Sequence, residues 1–455
     1  MAIIPHPNLF SWEQIESSPE IQRLRMVLDG LPDEELMTLL EQKRGNGRDD
    51  YPIRPIWNSL IAGIVYQHPS ISSLIRELLR NGELRQTCGF DPTKGEHAVP
   101  KAYVYTRFLS LLFKRGKEID EMFDRLIEEL RKVLPDLGEN LAVDSKAIWS
   151  YGRPTKKTAK DGRRDTDANW GTKTYRGVRE DGTLWEKTMH WFGYKLHLMV
   201  DSRHELPLGF NMTKASASDT VELLPLIEEV KRRHPELIDN AQHLSADRGY
   251  DSEENNRVLY DKYRIKPLID IRDDWHDGEK TRALDAAVTD GVVTDFRGNI
   301  SCVSRCLDDP RKMRKLDMVF VGFEKERMAL KYRCPAELYG LRCSEEGTAC
   351  FGRHERVKME KNRRRFVPVP RDTCKWNRLY AERSAVERVN SRLDRLHGFE
   401  EHYIRGIKKM TLRVGLALIV MLAMALGAIK MNRRDLMRSL VWHPRPIAAT
   451  SRLAA

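Results

Sequence analysis

Between about residue 30 and residue 140 the apolar positions recur at three- and four-residue spacing, which predicts an all-helical region. LPDEELMTLLEQKR and PIWNSLIAGIVYQ read as amphipathic helices. SISSLIRELLRN opens a third at Ser70, just after Pro69, with Ile71, Leu74 and Leu78 on one face. The turn-rich stretch CGFDPTKGEHAVPKA separates these from another helix in YVYTRFLSLLFKR. Two short helices joined by a tight turn suit a helix-turn-helix. A helical bundle that only packs suits the same pattern.

From Leu141 the period shortens to two. NLAVDSKAIW, HWFGYKLHLMVD and LPLGFNMTKA are successive strand candidates, with Tyr194, Leu196, Leu198 and Val200 alternating along the second. A helix then opens at Ser218 or Asp219, with Glu222 as capping-box partner and a buried stripe of Leu223, Leu226, Ile227 and Val230. AQHLSADRGY is the next strand, a helix follows near Ser252 with Asp251 as its cap, and IKPLIDIR is a fifth strand. Three strands, then a helix, strand, helix and strand, predict an α/β layer with a mixed sheet.

Residues 274–374 break this order. They are turn-rich and short-stranded, with GVVTDFRGNISC patterned as a hairpin. Helical spacing resumes at Asn377, and Val414–Ile429 is continuously apolar between Arg413 and Lys430. That stretch is shorter than the roughly 18 residues of a spanning helix. It is expected to be a buried core helix, and no membrane is expected as partner. The division that follows is 1–139 helical, 140–273 the first part of the α/β domain, 274–374 a cysteine-containing insertion, 375–432 the second part of that domain, and 433–455 a tail.

Composition narrows the class. With 455 residues, 41% apolar and 32% charged, the chain is globular and long enough for two or three domains. Its net charge of +11 points to an anionic partner, because clustered Lys and Arg release counterions from phosphate. The first twenty residues lack the layout of a secretory signal, and seven cysteines are too few and odd in number for a disulfide framework. A reducing cytoplasm is the expected location.

Three acids carry the candidate chemistry. Asp144 follows Leu141 and Val143 on a strand, and Asp247 ends a strand just before Gly249. Glu387 lies on a helical pattern amid Arg383, Arg388, Arg392 and Arg395. A lone Asp at a strand end is ordinarily a cap or turn residue. Two strand-borne carboxylates and one helix-borne carboxylate in a basic chain are what metal-assisted cleavage of a nucleic-acid backbone requires. Hard oxygen donors select Mg²⁺ or Mn²⁺, and two such ions about 3.5–4 Å apart serve both the attacking and leaving oxygens.

With these residues in place, the chain resembles a DDE transposase of a bacterial insertion sequence over nearly its whole length. The resemblance rests on Asp144–Ser145, on the strand motif Gly193–Tyr194–Lys195, and on Asp247, Arg248, Gly249, Tyr250 and Asp251. It also rests on Tyr380, Arg383 and Glu387 at the spacing of a Y-x2-R-x3-E-x6-K signature. The resemblance implies a ribonuclease H-like α/β core, a mixed sheet flanked by helices, preceded by an all-helical domain and interrupted by a β-rich insertion. It implies Asp144, Asp247 and Glu387 as catalytic and metal-holding residues for two Mg²⁺ or Mn²⁺. Double-stranded DNA would be the partner, both the element's terminal inverted repeats and the target, with a homodimer in the DNA complex and a nucleoid-associated location. Hydrolysis at the element end would free a 3′-OH that attacks the target, with no covalent protein–DNA intermediate. Tyr380 and Arg383 would contact the element's end DNA near the cut. The signature lysine is replaced by Asp394, so its phosphate contact passes to Arg395 or is lost.

The 140 positions from Asp247 to Glu387 exceed a plain connection and hold six of the seven cysteines. Cys302 and Cys306 have the spacing of a zinc pair, and Cys343 and Cys350 a looser one. With Cys334 they are candidates for structural zinc, against free thiols in a small β subdomain. Basic residues crowd 153–164, 356–365 and 405–409. Lys156, Lys157, Arg163 and Arg164, with Arg388, Arg392 and Arg395, are the candidate phosphate contacts. Trp149 and Trp170 would stack on an unpaired base or belong to the core. A catalytically inert descendant acting as a DNA-binding repressor, and a stand-alone nuclease of the same fold, are the alternatives to an active transposase.

Overall fold

The computed structural model describes residues 19–44, 51–152, 154, 165–179, 181–285, 291–309, 311–348 and 350–438. Among these, seven α-helices precede the first strand. They are α1 (Pro19–Gly30), α2 (Glu34–Arg44), α3 (Ile53–Val65), α4 (Ile71–Arg80), α5 (Gly82–Cys88), α6 (Ala102–Leu112) and α7 (Gly116–Val133). Ser70 caps α4 as its position predicts, accepting the Ser73 N–H at 3.2 Å, and Leu74 and Leu78 are buried. Asn81 alone links α4 to α5 and caps the latter through Leu84 N–H at 2.9 Å. Helices α1, α5 and α7 extend the region beyond the helices expected. Helix α7 buries Ile119, Met122, Phe123, Leu126, Ile127 and Leu130 as one stripe.

The sheet combines two kinds of pairing. Strands β1 (Asn140–Trp149), β2 (Asn169–Val178), β3 (Leu184–Asp201), β4 (Leu206–Lys214), β5 (His243–Ala246) and β6 (Lys266–Ile269) lie in the order β2–β3–β1–β5–β6, with β4 also on β3. Strand β3 is antiparallel to β1, β2 and β4, whereas β1, β5 and β6 run parallel. Parallel neighbours need crossover connections. These come through α8 (Asp219–Arg233), α9 (Pro235–Asn240) and α10 (Glu253–Asp261). Strand β2 adds to the strands expected, because its Thr- and Gly-rich sequence lacks a clean apolar alternation. In β3, Tyr194, Leu196, Leu198, Met199 and Val200 are all buried, so both faces of the sheet centre are covered.

One helix organises the core. Helix α14 (Ile407–Lys430) has 24 residues, long and apolar enough to cross a membrane, but 89% of its most apolar window is buried inside the protein. The expectation of a core helix stands on that burial, not on shortness. It packs on α1, α3, α7 and β4, so the N-terminal helices and the sheet share one continuous apolar core. The fit is close at Gly427, where a Cβ would lie 2.4 Å from Met26 Cγ.

The cysteine-bearing segment folds as two small sheets. Strands β7 (Arg282–Ala283), β8 (Val292–Thr294), β9 (Ile300–Arg305) and β10 (Met313–Asp317) form one, and the expected hairpin is β8–β9. Strands β11 (Val319–Glu324), β12 (Ala329–Arg333) and β13 (His354–Lys358) form the other. They enclose a separate core around Ile300, Leu330, Tyr332, Val357 and Phe366.

Two expected caps are corrected, both because tertiary partners outcompete local ones. The capping box of Asp219 with Glu222 does not form: the helix begins at Asp219 with Ser218 at its N-cap, Glu222 accepts from Asn211 at 3.0 Å, and Asp219 accepts from Lys195 at 3.0 Å. Asp251 does not cap α10 either. Ser252 does so through Asn255 N–H, while the Asp251 carboxylate pairs with Arg364 at 2.7 Å.

The β1–β3 register predicts which glycine cannot change. A Cβ on Gly193 would lie 2.1 Å from Ile148 O and 2.7 Å from Ser150 N, both backbone atoms of the paired strand. Gly193→Ala is expected to cost about 3 kcal/mol or more in denaturant unfolding, against about 0.5 kcal/mol or less for Gly322→Ala, which meets open space. Equal stability of the two variants would contradict the register.

Candidate active site

Strands β1 and β5 run parallel with Val143 opposite Ala246. The next residues, Asp144 within β1 and Asp247 just past the end of β5, therefore stand side by side. The Asp144 carboxylate accepts its neighbour's N–H, Ser145, at 2.8 Å, and Asp247 accepts Gly249 N–H at 2.7 Å. The chain turns so tightly after Asp247 that a Cβ on Gly249 would meet its Oδ1 at 2.6 Å. Burial pushes the Asp144 carboxyl up to about 6. Lys173 on β2 pulls it down, the Asp247 charge pushes it up further, and Arg383 pulls it down.

A second layer braces this turn. Lys195, the last residue of the Gly193–Tyr194–Lys195 motif, donates to Asp219 Oδ1 at 3.0 Å and to Ala217 O at 2.7 Å. Thr220, next to Asp219, donates to Gly249 O at 2.8 Å. His197, buried behind them against Thr213, is drawn down to about 4 by burial and is neutral near pH 7.

The third acid comes from α13 (Ser384–His397), which follows α12 (Cys374–Ala381). Helical periodicity gives α13 three faces. Val386, Val389, Leu393 and His397 enter the core. Arg388 and Arg392 turn to the buried Glu205 at 2.8 and 3.1 Å, joined there by Arg438. Glu387, Asn390, Ser391, Asp394 and Arg395 line a cleft of about 750 Å³ whose other wall includes Asp144, Lys146, Trp149 and Lys173.

The sequence candidates thus separate. Asp144, Glu387 and Arg395 share the cleft, and Asp247 stands beside Asp144. Tyr380 stacks on Trp376 at 4.3 Å, and Arg383 lies 5.6 Å over the Tyr380 ring. Arg388 and Arg392, expected among the phosphate contacts, are engaged by Glu205, and the Arg392 side chain is only 14% exposed. Lys156, Lys157, Arg163 and Arg164 lie outside the described residues. Trp149 and Trp170 are both more than half exposed, so neither is a core residue.

Lys146, Lys173 and Asp219 are site residues that the motif reading passed over. Lys146 pairs with Asp394 at 2.5 Å, with both side chains less than a fifth exposed. Two-residue spacing from Asp144 on one strand was the available signal for Lys146. Lys173 had none, because it sits on the unexpected β2.

Arg383 lies between two of the acids. Its guanidinium pairs with Glu387 at 2.8 Å and lies within electrostatic reach of Asp144. Among the described residues no three His, Cys, Asp or Glu side chains are grouped to hold an ion. The donor set nevertheless suits one: three hard carboxylates, two of them adjacent, with a protein cation drawn in among them.

A mixed sheet of this order, with Asp144 within β1 beside Asp247 just past β5, is consistent with a DDE transposase fold. The chain belongs to the transposase DDE domain family, whose profile matches residues 141–422. It is also similar to the "Putative transposase for insertion sequence element IS402" of Burkholderia cepacia, at 37% identity over 89 residues. That match covers 18% of this chain and 40% of that protein, so the chain matches less than half of the relative's length. No solved structure matches.

The raised Asp144 carboxyl sets a pH dependence. A carboxyl held above its unfolded value contributes stability below about pH 4 that is lost as pH rises through about 6. In EDTA, Asp144→Asn is expected to be more stable than wild type at pH 7.5 by about 1–2 kcal/mol, with the gap closing toward pH 4. Thermal melts across that range check it, and a gap that widens on acidification would contradict the assignment.

Proposed function

We propose that this protein is an active transposase that binds the terminal inverted repeats of its insertion sequence and cuts and joins DNA through Asp144, Asp247 and Glu387. The observation that carries the reading is the parallel β1–β5 register, which sets two carboxylates side by side opposite an acid-bearing helix. We further infer a ribonuclease H-like core. An antiparallel three-strand unit leading into parallel β1, β5 and β6 supports it, with the β7–β13 segment as an insertion.

In this reading Asp144, Asp247 and Glu387 would hold two Mg²⁺ or Mn²⁺. When bound, the ions supply charge stabilisation at the phosphoryl group and acidify the attacking hydroxyl. The chain's residues do the rest. Lys195, Asp219 and Thr220 keep the Asp247 turn in place, and Arg383 carries the countercharge until DNA enters. Arg383, Tyr380 and Arg395 meet the phosphates beside the cut, and exposed Trp149 offers a ring to an unpaired base. Lys146 stands in for the missing signature lysine. The cation has moved from helix to strand, and Asp394, at the vacated position, orients it. Pairing two element ends calls for two copies of the chain, hence a dimer on DNA.

The test is a labelled duplex from the gene's own flanking DNA, incubated with protein and Mg²⁺ or Mn²⁺. Nicking at one defined position is expected for wild type, with loss by a factor of about 10³ or more in Asp144→Asn, Asp247→Asn and Glu387→Gln while binding persists. Binding without cleavage by wild type under either metal would replace this reading with an inert DNA-binding descendant. Cleavage without end preference or joining would make the protein a nuclease.

Lys146 is tested by salt dependence. Lys146→Ala is expected to weaken duplex binding and reduce the slope of log K against log salt by about one. Asp394→Asn, which frees the lysine, should tighten binding. If Lys146→Ala leaves the slope unchanged, the substitution for the signature lysine is wrong.

A further inference from the structure

Four of the five cysteines in the β7–β13 segment come from separate places in the chain to one small cavity. Cys302 lies on β9, in one of the two small sheets. Cys334 follows β12, in the other, and immediately precedes α11 (Pro335–Tyr339). Cys343 and Cys350 lie in the turn-rich stretch beyond. All four line a cavity of about 20 Å³, on the order of a single water-sized sphere. Cys302 is within electrostatic reach of the other three, and Cys350 of Cys334 and Cys343. All are free thiols.

We propose that Cys302, Cys334, Cys343 and Cys350 form a structural zinc site that cross-links the two sheets of this segment. Four sulfurs around an ion-sized space form the donor set of a closed tetrahedral zinc site. The stretch they enclose has little else to fix it. Among the described residues from Tyr339 to Arg353 none belongs to a buried core; the Cys334 N–H to Arg353 O bond extends the β12–β13 ladder by one pair, and bonds such as Arg353 N–H to Cys350 O make local turns. Zinc would supply the folding energy that apolar burial does not. Among the described residues the sulfurs surround the cavity without three of them standing in ligating geometry, and rotation about their Cα–Cβ bonds is the adjustment the ion requires.

The geometry also corrects the expected ligand set. Cys306 lies four residues beyond Cys302 along an extended strand, a separation of roughly 13 Å at about 3.3 Å per residue, and both cannot reach one ion. Its N–H pairs with Lys312 O at the hairpin end, away from the cavity. The C-x3-C spacing is thus a coincidence of strand sequence. Cys374, exposed at the start of α12, is also excluded.

The experiment uses the full-length protein purified without chelator, with zinc measured by mass spectrometry. About one zinc per chain is expected in wild type, Cys306→Ser and Cys374→Ser, and a loss of more than about fivefold in Cys302→Ser or Cys343→Ser. Cobalt titration of the zinc-stripped wild type does not depend on any variant folding. The intense charge-transfer and visible bands of tetrahedral thiolate coordination should saturate at about one equivalent. A metal-free wild type with four reactive thiols or two disulfides, octahedral cobalt spectra, or zinc lost with Cys306→Ser would each overturn the site. Zinc content is read independently of DNA cleavage, so this proposal and the transposase reading stand or fall separately.

Discussion

The parallel pairing of β1 with β5 is the constraint on which the cleft depends. Its register brings two half-buried acids to the same height on neighbouring strands. The result is a carboxyl at Asp144 that holds its proton to about pH 6. Like charges in such a place are tolerated only when cations face them. The surroundings answer that requirement with Lys173 from β2 and Arg383 from the turn between α12 and α13. The third acid is matched in turn, since the same guanidinium pairs with Glu387. One arginine thus serves acids from two different elements, occupying the region where the donor set suits a divalent ion.

Helix α13 can present an acid to that region because its other faces are fully engaged. Its apolar stripe is locked into the core, and Arg388 and Arg392 are gathered on Glu205, a residue with φ of +56 and a carboxylate only 9% exposed. Removing Glu205 would strand Arg392 in an apolar setting, where an unpaired charge is costly. The arginine-dense helix, which in sequence suggests phosphate contacts throughout, divides in space. One side anchors the helix to the β3–β4 turn, and the other faces the cleft with Arg395.

The elements that could be read from sequence were those with a single dominant local signal. The α4 cap at Ser70, the alternation of β3, the stripe of α8 and the apolar run of α14 follow from period and capping, and the structure keeps them. Spacing also located Asp144, Asp247 and Glu387, and the register accounts for why the first two are neighbours. What could not be read depended on partners remote in sequence. Strand β2 has no apolar alternation, so Lys173 was invisible. Glu222 and Asp251 had plausible local roles that Asn211 and Arg364 displaced. Lys146 and Asp394 sit 248 positions apart, so no local signal could announce their pairing.

The long segment between β6 and α12 raises a mechanical question, since Glu387 must be positioned against Asp247 across it. Closing a flexible connection costs free energy that grows only slowly with length, but a loose one would let α13 drift. The structure removes that freedom at the segment's neck. Arg371, fully buried, donates Nε at 3.0 Å and Nη2 at 2.8 Å to Ile269 O at the end of β6, and a third bond to Arg364 O. Arg297 spans from Asp270 to Asp372 just outside it. The chain therefore leaves and re-enters the sheet domain at one fastened point. Of these two arginines, Arg297 belongs to the β8–β9 turn, so the insertion itself helps fasten the neck that precedes α12 and α13. The core packing of α13 and this neck together hold the helix that carries Glu387.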